Sequence, residues 1–427
     1  MNRNSFSPDQ RKQLFRFCLY GFLKNQQYFD PFLILAFRYH GFTFTAIGVL
    51  IAFRALCINF FEIPSGAAAD VWGRRRSMIL SMASYIAAFT VFALAAEYWM
   101  FFPAMFFFSV GEAFRTGTHK AIIFDWLEEQ GMKDRKTEVY GLTRSWSKQG
   151  AALNSIIAAL IYISTQDFTW VFLASAIPYL LNIGNFLFYP RYLDGRNREA
   201  HSLSRMAGTL LESVKYTLFT RGLRNLIVEN ICFEGVFTAT RDYLQPTVKA
   251  LAFSLPVLLF QPDNIRMAVL VGVVYFILNQ ANSIAARLSH RAAAAAGSEQ
   301  RLTRIIWAGV LFLYAVMGAG FLAETGAVAV TGFVLLYTVL NVWKPVLVSR
   351  FHSHAHQRSA ATILSVANQS KSLSVVLIAP LLGRAVDFAA GASLTREALP
   401  LHALWPVALL GCAAALIGLT INARSDK

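Results

Sequence analysis

Glu112, Arg115, His119 and Lys120 stand in one stretch, GEAFRTGTHKAIIFD (Gly111–Asp125), directly after the apolar run YWMFFPAMFFFSV. A carboxylate, a permanent cation, a titratable ring and an amine can together hold an anion or hand on a proton. Glu112, Arg115 and His119 are spaced i, i+3, i+7, which places them on one face of a helix. Phe114 and Ile122 fall on the other side and are expected to pack outward or sideways. Gly117, Ala121 and Asp125 recur every fourth residue, a spacing that permits close approach of another helix. On a soluble protein these charges would form a solvated face. In a membrane each needs a partner or water. Two readings stay open: a neutralised Glu112–Arg115 pair that ties helices together, or the wall of a polar cavity.

The same residue types recur in other apolar stretches. Lys24 shares a helix face with Gln27, and Glu234 lies seven residues before Arg241 with Thr238 between. Asn341 and Lys344 share a face, as do Asn368 and Lys371. The expected binding residues are Lys24, Arg54, Arg115, His119, Arg241, Lys344 and Lys371. Asp30, Glu112 and Glu234 are the carboxylates placed to carry a proton, because a buried carboxylate among cations can be switched by a ligand. HSHAH, at His352, His354 and His356, reads as a solvated loop, since alternate histidines do not share a helix face; metal binding is the other reading. Cys18, Cys57, Cys232 and Cys412 all sit in apolar blocks and read as core residues, not as disulfides or ligands. Neither a catalytic constellation nor a resident metal site or cofactor is expected.

What positions these residues follows from composition. The chain has 427 residues, 56% hydrophobic and only 15% charged, with 36 Phe and a mean hydropathy of +0.46. A soluble domain is nearer a quarter charged. The apolar blocks reach about 20 residues, enough to cross a bilayer as helices, and open sheets cannot survive there. The fold class is therefore all-α and integral to the membrane. A polar head, MNRNSFSPDQRKQ, leads into FRFCLYGFL with no small-residue cleavage site, so no removable leader is expected. Twelve spans are predicted near 14–37, 42–69, 77–97, 99–126, 139–163, 168–190, 222–247, 265–287, 304–323, 326–349, 359–386 and 401–422. A polar, basic link over 191–221 divides them into two six-helix bundles, residues 1–190 and 222–427. Part of that link, SRMAGTLLESVKYTLF, has the pattern of an amphipathic helix on the membrane surface.

The basic residues test this map. Alternate polar segments, starting with the N-terminus, carry twenty-five Lys and Arg against five in the other set. That asymmetry puts both termini and the central link in the cytoplasm of a multi-pass protein, as expected for a bacterial inner membrane. The +15 net charge thus reads as topology and not as a nucleic-acid surface, because it is dispersed over many loops. Nine cations lie deeper: Lys24, Arg54, Arg115, Lys120, Arg144, Lys148, Arg241, Lys344 and Lys371. Seven acids accompany them: Asp30, Glu62, Glu112, Asp125, Glu229, Glu234 and Asp242. Lys344 and Arg144, near cytoplasmic ends, are placed to snorkel. Spans 3, 6, 9 and 12 carry no interior charge, the pattern expected if they face lipid while the others enclose a polar cavity.

GAAADVWGRRR, Gly66–Arg76, resembles the G-x-x-x-D-x-x-G-R-[RK]-[RK] loop of the major facilitator superfamily, with Gly66, Asp70, Gly73, Arg74, Arg75 and Arg76 all matching. Gly66 would permit close helix packing and Gly73 a tight turn. Asp70 would accept from a helix N-terminus and an arginine. In that family the loop is a cytoplasmic conformational latch. Its counterpart near Arg287–Arg304 is degenerate. RSAATILSVANQSKSLSVVLIAPLLGRAVD, Arg358–Asp387, is similar to a segment of the family's drug-exporter-like branch, as is Gly117–Asp125. Many such relatives carry acids near the positions held here by His119 and Lys120, which points away from a cationic cargo. The resemblance implies two six-helix halves related by a pseudo-two-fold, a central site and alternating access, usually in a monomer.

Cations outnumber acids in the interior, so the expected activity is secondary transport of a small anionic or zwitterionic organic solute. No phosphate-cradling ATP loop of the G-x-x-x-x-G-K-[ST] kind occurs, which makes protons the expected driving ion. The alternative is proton-coupled export of cationic or amphipathic compounds through Asp30, Glu112 and Glu234. An enzyme is not expected, as no nucleophile–base pair stands out. Substrate identity, import or export, and the coupling ion are not encoded in any motif.

Overall fold

The computed structural model describes residues 6–194, 208, 212, 214–217, 219–256, 259–354, 360–391 and 399–424. Among the described residues the chain is helical with no strand. It begins with α1 (Pro8–Leu23), α2 (Leu33–Tyr39), α3 (Phe44–Trp72), α4 (Arg74–Leu94), α5 (Phe101–Arg115), α6 (Thr118–Glu129), α7 (Lys136–Thr165) and α8 (Phe168–Leu187). After the central link come α9 (Arg221–Asn230), a π turn (Ile231–Gly235), α10 (Val236–Thr240), a 3-10 turn (Arg241–Tyr243) and α11 (Leu244–Ser254). The chain ends with α12 (Asp263–Ala296), α13 (Glu299–Leu322), α14 (Gly326–His354), α15 (Ala360–Ala390) and α16 (Trp405–Arg424). Among the described residues, eight helices are long and apolar enough to cross a membrane uninterrupted. The expected spans 1, 4 and 7 are instead broken, and span 5, α7, is continuous but polar.

Each break falls at candidate residues. Span 1 stops at Lys24, the C-cap of α1, before restarting at Asp30. Span 4 stops after Arg115 and restarts at Thr118, because Gly117 has φ 79°. A Cβ there would meet no atom within 4 Å. Gly117 therefore serves a turn, not the helix contact read from its spacing. Span 7 opens into a π turn at Glu234 and a 3-10 turn at Arg241. Backbone leaves the α pattern at membrane depth only where it is covered by protein or water.

Two compact units form, residues 1–31 with 57–206 and residues 32–56 with 207–427. The first holds α1 and α4–α8, with α4 packed between α5 and α8. Phe114 and Ile122, expected to pack outward or sideways, are buried, so of the two alternatives they pack sideways against neighbouring helices. The helices with no charge in their interiors, α4, α8, α13 and α16, each keep apolar side chains more than half exposed, such as Leu94, Leu181, Phe312 and Leu416. In water these surfaces would be unfavourable; in acyl chains they are matched.

The start of α3 belongs to the second unit and shows how a sequence-distant carboxylate adds to a local cap, in which the Thr43 hydroxyl accepts from the Ala46 amide at 3.2 Å. The side chain at Asp387 of α15 accepts from the Phe44 amide at 2.9 Å, the Thr45 amide at 2.7 Å and the Thr45 hydroxyl at 2.6 Å. These donors have no intrahelical partner, and the helix dipole favours an anion there. Asp387→Ala is expected to cost about 1–2 kcal/mol, read as a lower melting temperature of the purified protein. An unchanged melt would count against the cap.

The loop resembling the superfamily latch is anchored differently from expectation. Gly73 makes the tight turn, with φ 95°, and caps α4. Asp70 has no ion pair or hydrogen bond among the described residues, and Gly66 is exposed instead of packed. Asp194, from the central link, takes the role assigned to Asp70. It accepts from the Arg75 amide at 3.2 Å and lies 3.5 Å from the Arg75 guanidinium. Arg74 pairs with Asp125 of α6, while Arg76 is exposed. The expected amphipathic helix over 204–219 lies mostly outside the described residues. The RAAAAAG stretch after Arg291 continues α12 as helix to Ala296. His352 sits on the last turn of α14, which runs to His354, so the loop expected there is helix; His356 lies outside the described residues.

Candidate functional site

In the first unit, α1 and α7 approach almost backbone to backbone. A Cβ on Gly150 would collide with the Phe22 carbonyl, and one on Gly21 would lie 2.8 Å from the Thr143 carbonyl. Side chains at the end of α1 lock the register. Asn25 donates to the Ser147 hydroxyl at 2.6 Å, and Gln26 donates to the Gly150 carbonyl at 2.9 Å. Beside this contact lies a cavity of about 280 Å³. Tyr20, Lys24, His119, Tyr140, Arg144 and Lys148 line it, together with Asn25, Thr143 and Ser147.

The cavity is basic. Lys24 sits over the Tyr20 ring at 5.6 Å and Arg144 over the Tyr140 ring at 5.9 Å. Lys24, Arg144 and Lys148 make no ion pair with a carboxylate among the described residues, and no Asp or Glu lines the cavity. The sequence reading singled out Lys24 and His119. Arg144, expected to snorkel, and Lys148 join them, because Tyr140, Arg144, Ser147 and Lys148 form a single i, i+4, i+7, i+8 stripe on α7. That stripe was the available signal.

His119 lines the cavity from α6 but is itself buried. Its ring lies 3.9 Å from that of Tyr20, and Nε2 is 3.3 Å from the Tyr189 hydroxyl. The break at Gly117 separates it from Glu112 and Arg115, so the face expected to hold all three is not continuous. Glu112 instead bridges Arg115 and the Tyr85 hydroxyl of α4. Arg115 Nε also donates to Tyr85 at 3.2 Å. Lys120 points elsewhere, over Phe124 and Tyr140 at 5.4 and 5.6 Å. Asp30 is exposed.

The second unit holds the other expected residues. Glu234, almost fully buried in the π turn, lies 3.1 Å from the Lys371 amine and 3.6 Å from that of Lys344. The turn carries Gly235 against Ser374, on the helix that bears Lys371. Asn341, one turn from Lys344, donates to Asn282 at 3.0 Å. Arg241 lies 3.5 Å from Asp242, and Arg54 is half-buried on α3.

The Major Facilitator Superfamily model matches residues 17–380. This chain belongs to the Major Facilitator Superfamily. As a member of that superfamily it is a multi-pass membrane transporter and not an enzyme. Solved structures share its fold at low identity. A nucleoside transporter, NupG (D323A mutant), aligns with a TM-score of 0.76 at 12% identity over 97% of this chain and 100% of its own. A POT family transporter in complex with 5-aminolevulinic acid aligns at 0.73 and 15%, covering 97% and 96%. A D-xylose–proton symporter aligns at 0.69 and 12%, covering 95% and 96%. No curated protein matches the sequence.

Proposed function

We propose that this transporter moves a small organic anion across the membrane by alternating access, driven by protons. One observation carries the reading: the cavity between α1, α6 and α7 presents Lys24, Arg144 and Lys148 with no lining carboxylate. A fixed cluster of cations without counter-charge is destabilising by itself and is relieved by an anionic ligand. Arg144 offers a planar fork to a carboxylate or phosphate, and the lysines offer movable point charges. Glu234, held between Lys371 and Lys344, is the proposed proton carrier. The symporter among its structural neighbours is proton-driven by its description. The proposed setting is a bacterial inner membrane, with both termini cytoplasmic and the monomer as the working unit.

Export of cationic compounds, as in the drug-exporter-like branch, finds less support. Glu112 is committed to Arg115 and Tyr85, and Glu234 to two lysines. The test is flux in proteoliposomes. Uncoupler-sensitive uptake or exchange of a small organic anion is expected, and Lys24→Gln should reduce it at least tenfold without loss of membrane insertion. Efflux of dye cations with no anion flux would overturn the reading.

A further inference from the structure

Resting on the anion-transport reading, we infer that the cavity selects cargo by charge count and takes a dianionic head group, a phosphomonoester or a short dicarboxylate, in preference to a monoanion. Elsewhere the chain sets several of its inward cations against acids. Arg350 is matched by Glu229, Arg115 by Glu112, Arg74 by Asp125, and Lys344 and Lys371 share Glu234. The cavity instead gathers three cations with no lining carboxylate, Lys24 and Lys148 half-buried and Arg144 exposed at its edge. Arg144 and Lys148 stand one turn apart on α7, a like-charge i, i+4 pair that weakens a helix. Lys24 joins them from the end of α1. Two of the three rest on tyrosine rings, at 5.6 and 5.9 Å, which offsets only part of the repulsion. The Glu112 carboxylate, on α5, is already held by Arg115 and Tyr85 and is not free to neutralise them.

Filling the cavity therefore means compensating a formal charge of three. A monoanion leaves two cations facing one another as water is displaced. A dianion leaves one, and its second charge engages a lysine after the first has met the guanidinium fork. The volume, about 280 Å³, suits such a head group on a short polar carbon skeleton.

The test uses the purified full-length protein at pH 7.5 and matched probes. Succinate is compared with monomethyl succinate, and glycerol 3-phosphate with glycerate, by thermal shift and by inhibition of flux. At least one dianion is expected to bind tenfold or more tightly than its singly charged partner, and the arm that does so names the class, carboxylate or phosphate. Lys148→Gln should shrink that gap to threefold or less, while Lys148→Arg should keep it, which separates charge from folding. Equal binding of the mono- and dianions, or a gap unmoved by Lys148→Gln, overturns the charge count and leaves anion transport standing. Binding of uncharged or cationic probes only, or no response to any of the four anions, overturns both.

Discussion

Replacing Arg350 by alanine is expected to cost about 3–5 kcal/mol of stability, the largest structural effect of any single side chain considered above. Arg350 of α14 meets Glu229 of α9 with two parallel bonds, Nη1 to Oε2 at 2.7 Å and Nη2 to Oε1 at 3.0 Å. Asn422 of α16 accepts from the same guanidinium at 3.4 Å. Glu229 is 1% exposed and Arg350 12%. The pair itself is worth little against an apolar replacement, because desolvating two charges offsets their attraction. Removing one partner is different, since it leaves a carboxylate buried with nothing to hold its charge. Arg350→Ala should thus melt well below the parent protein, whereas Arg350→Met with Glu229→Leu should recover most of the loss. The comparison is made by thermal melts in one detergent. If the double variant melts no higher than the single one, the cost lies in lost packing and not in an orphaned charge.

That pair also marks the limit of what sequence shows. Counting basic loops placed Arg350 among the cytoplasmic positive charges and Glu229 in the interior, with no sign that residues 121 apart would meet. The helical class and the apolar stretches were legible because length and hydropathy depend on local composition alone. Breaks were not. Lys24, Thr116–Gly117 and Glu234 lie inside runs apolar enough to read as unbroken helices. What interrupts them is a positive φ at Gly117 and the tertiary fit of Gly235 against Ser374. The latch-like loop gives the same lesson. Its glycine turn could be read from the residues, but the carboxylate that caps α4 is Asp194, supplied from the far side of four helices. Of the cavity, Lys24 and His119 were found by type. Arg144 and Lys148 were visible as a stripe on α7, and only folding against α1 turns that stripe into a wall.

Glu234→Gln is expected to abolish proton-driven accumulation, by tenfold or more, while leaving cargo exchange across the membrane within about threefold of normal. The carboxylate stands in a π turn, a local widening that often marks functional positions in helices, and it holds two amines at 3.1 and 3.6 Å. Lys344 is 59% exposed and Lys371 21%, so the pair is graded: one amine reaches solvent and the other is enclosed. Protonating Glu234 would release both amines, so its proton uptake and the state of span 7 are linked. Glutamine imitates the protonated form permanently. Exchange, which needs no net proton movement, should continue, whereas a pH gradient should no longer concentrate cargo. Proteoliposomes loaded with cargo measure the first and an imposed pH step the second. If the glutamine variant still accumulates cargo against its gradient, the proton travels elsewhere. If both readouts collapse together, Glu234 supports the fold of span 7 instead of the coupling, and Glu234→Asp, which keeps the charge, should then fail to restore accumulation.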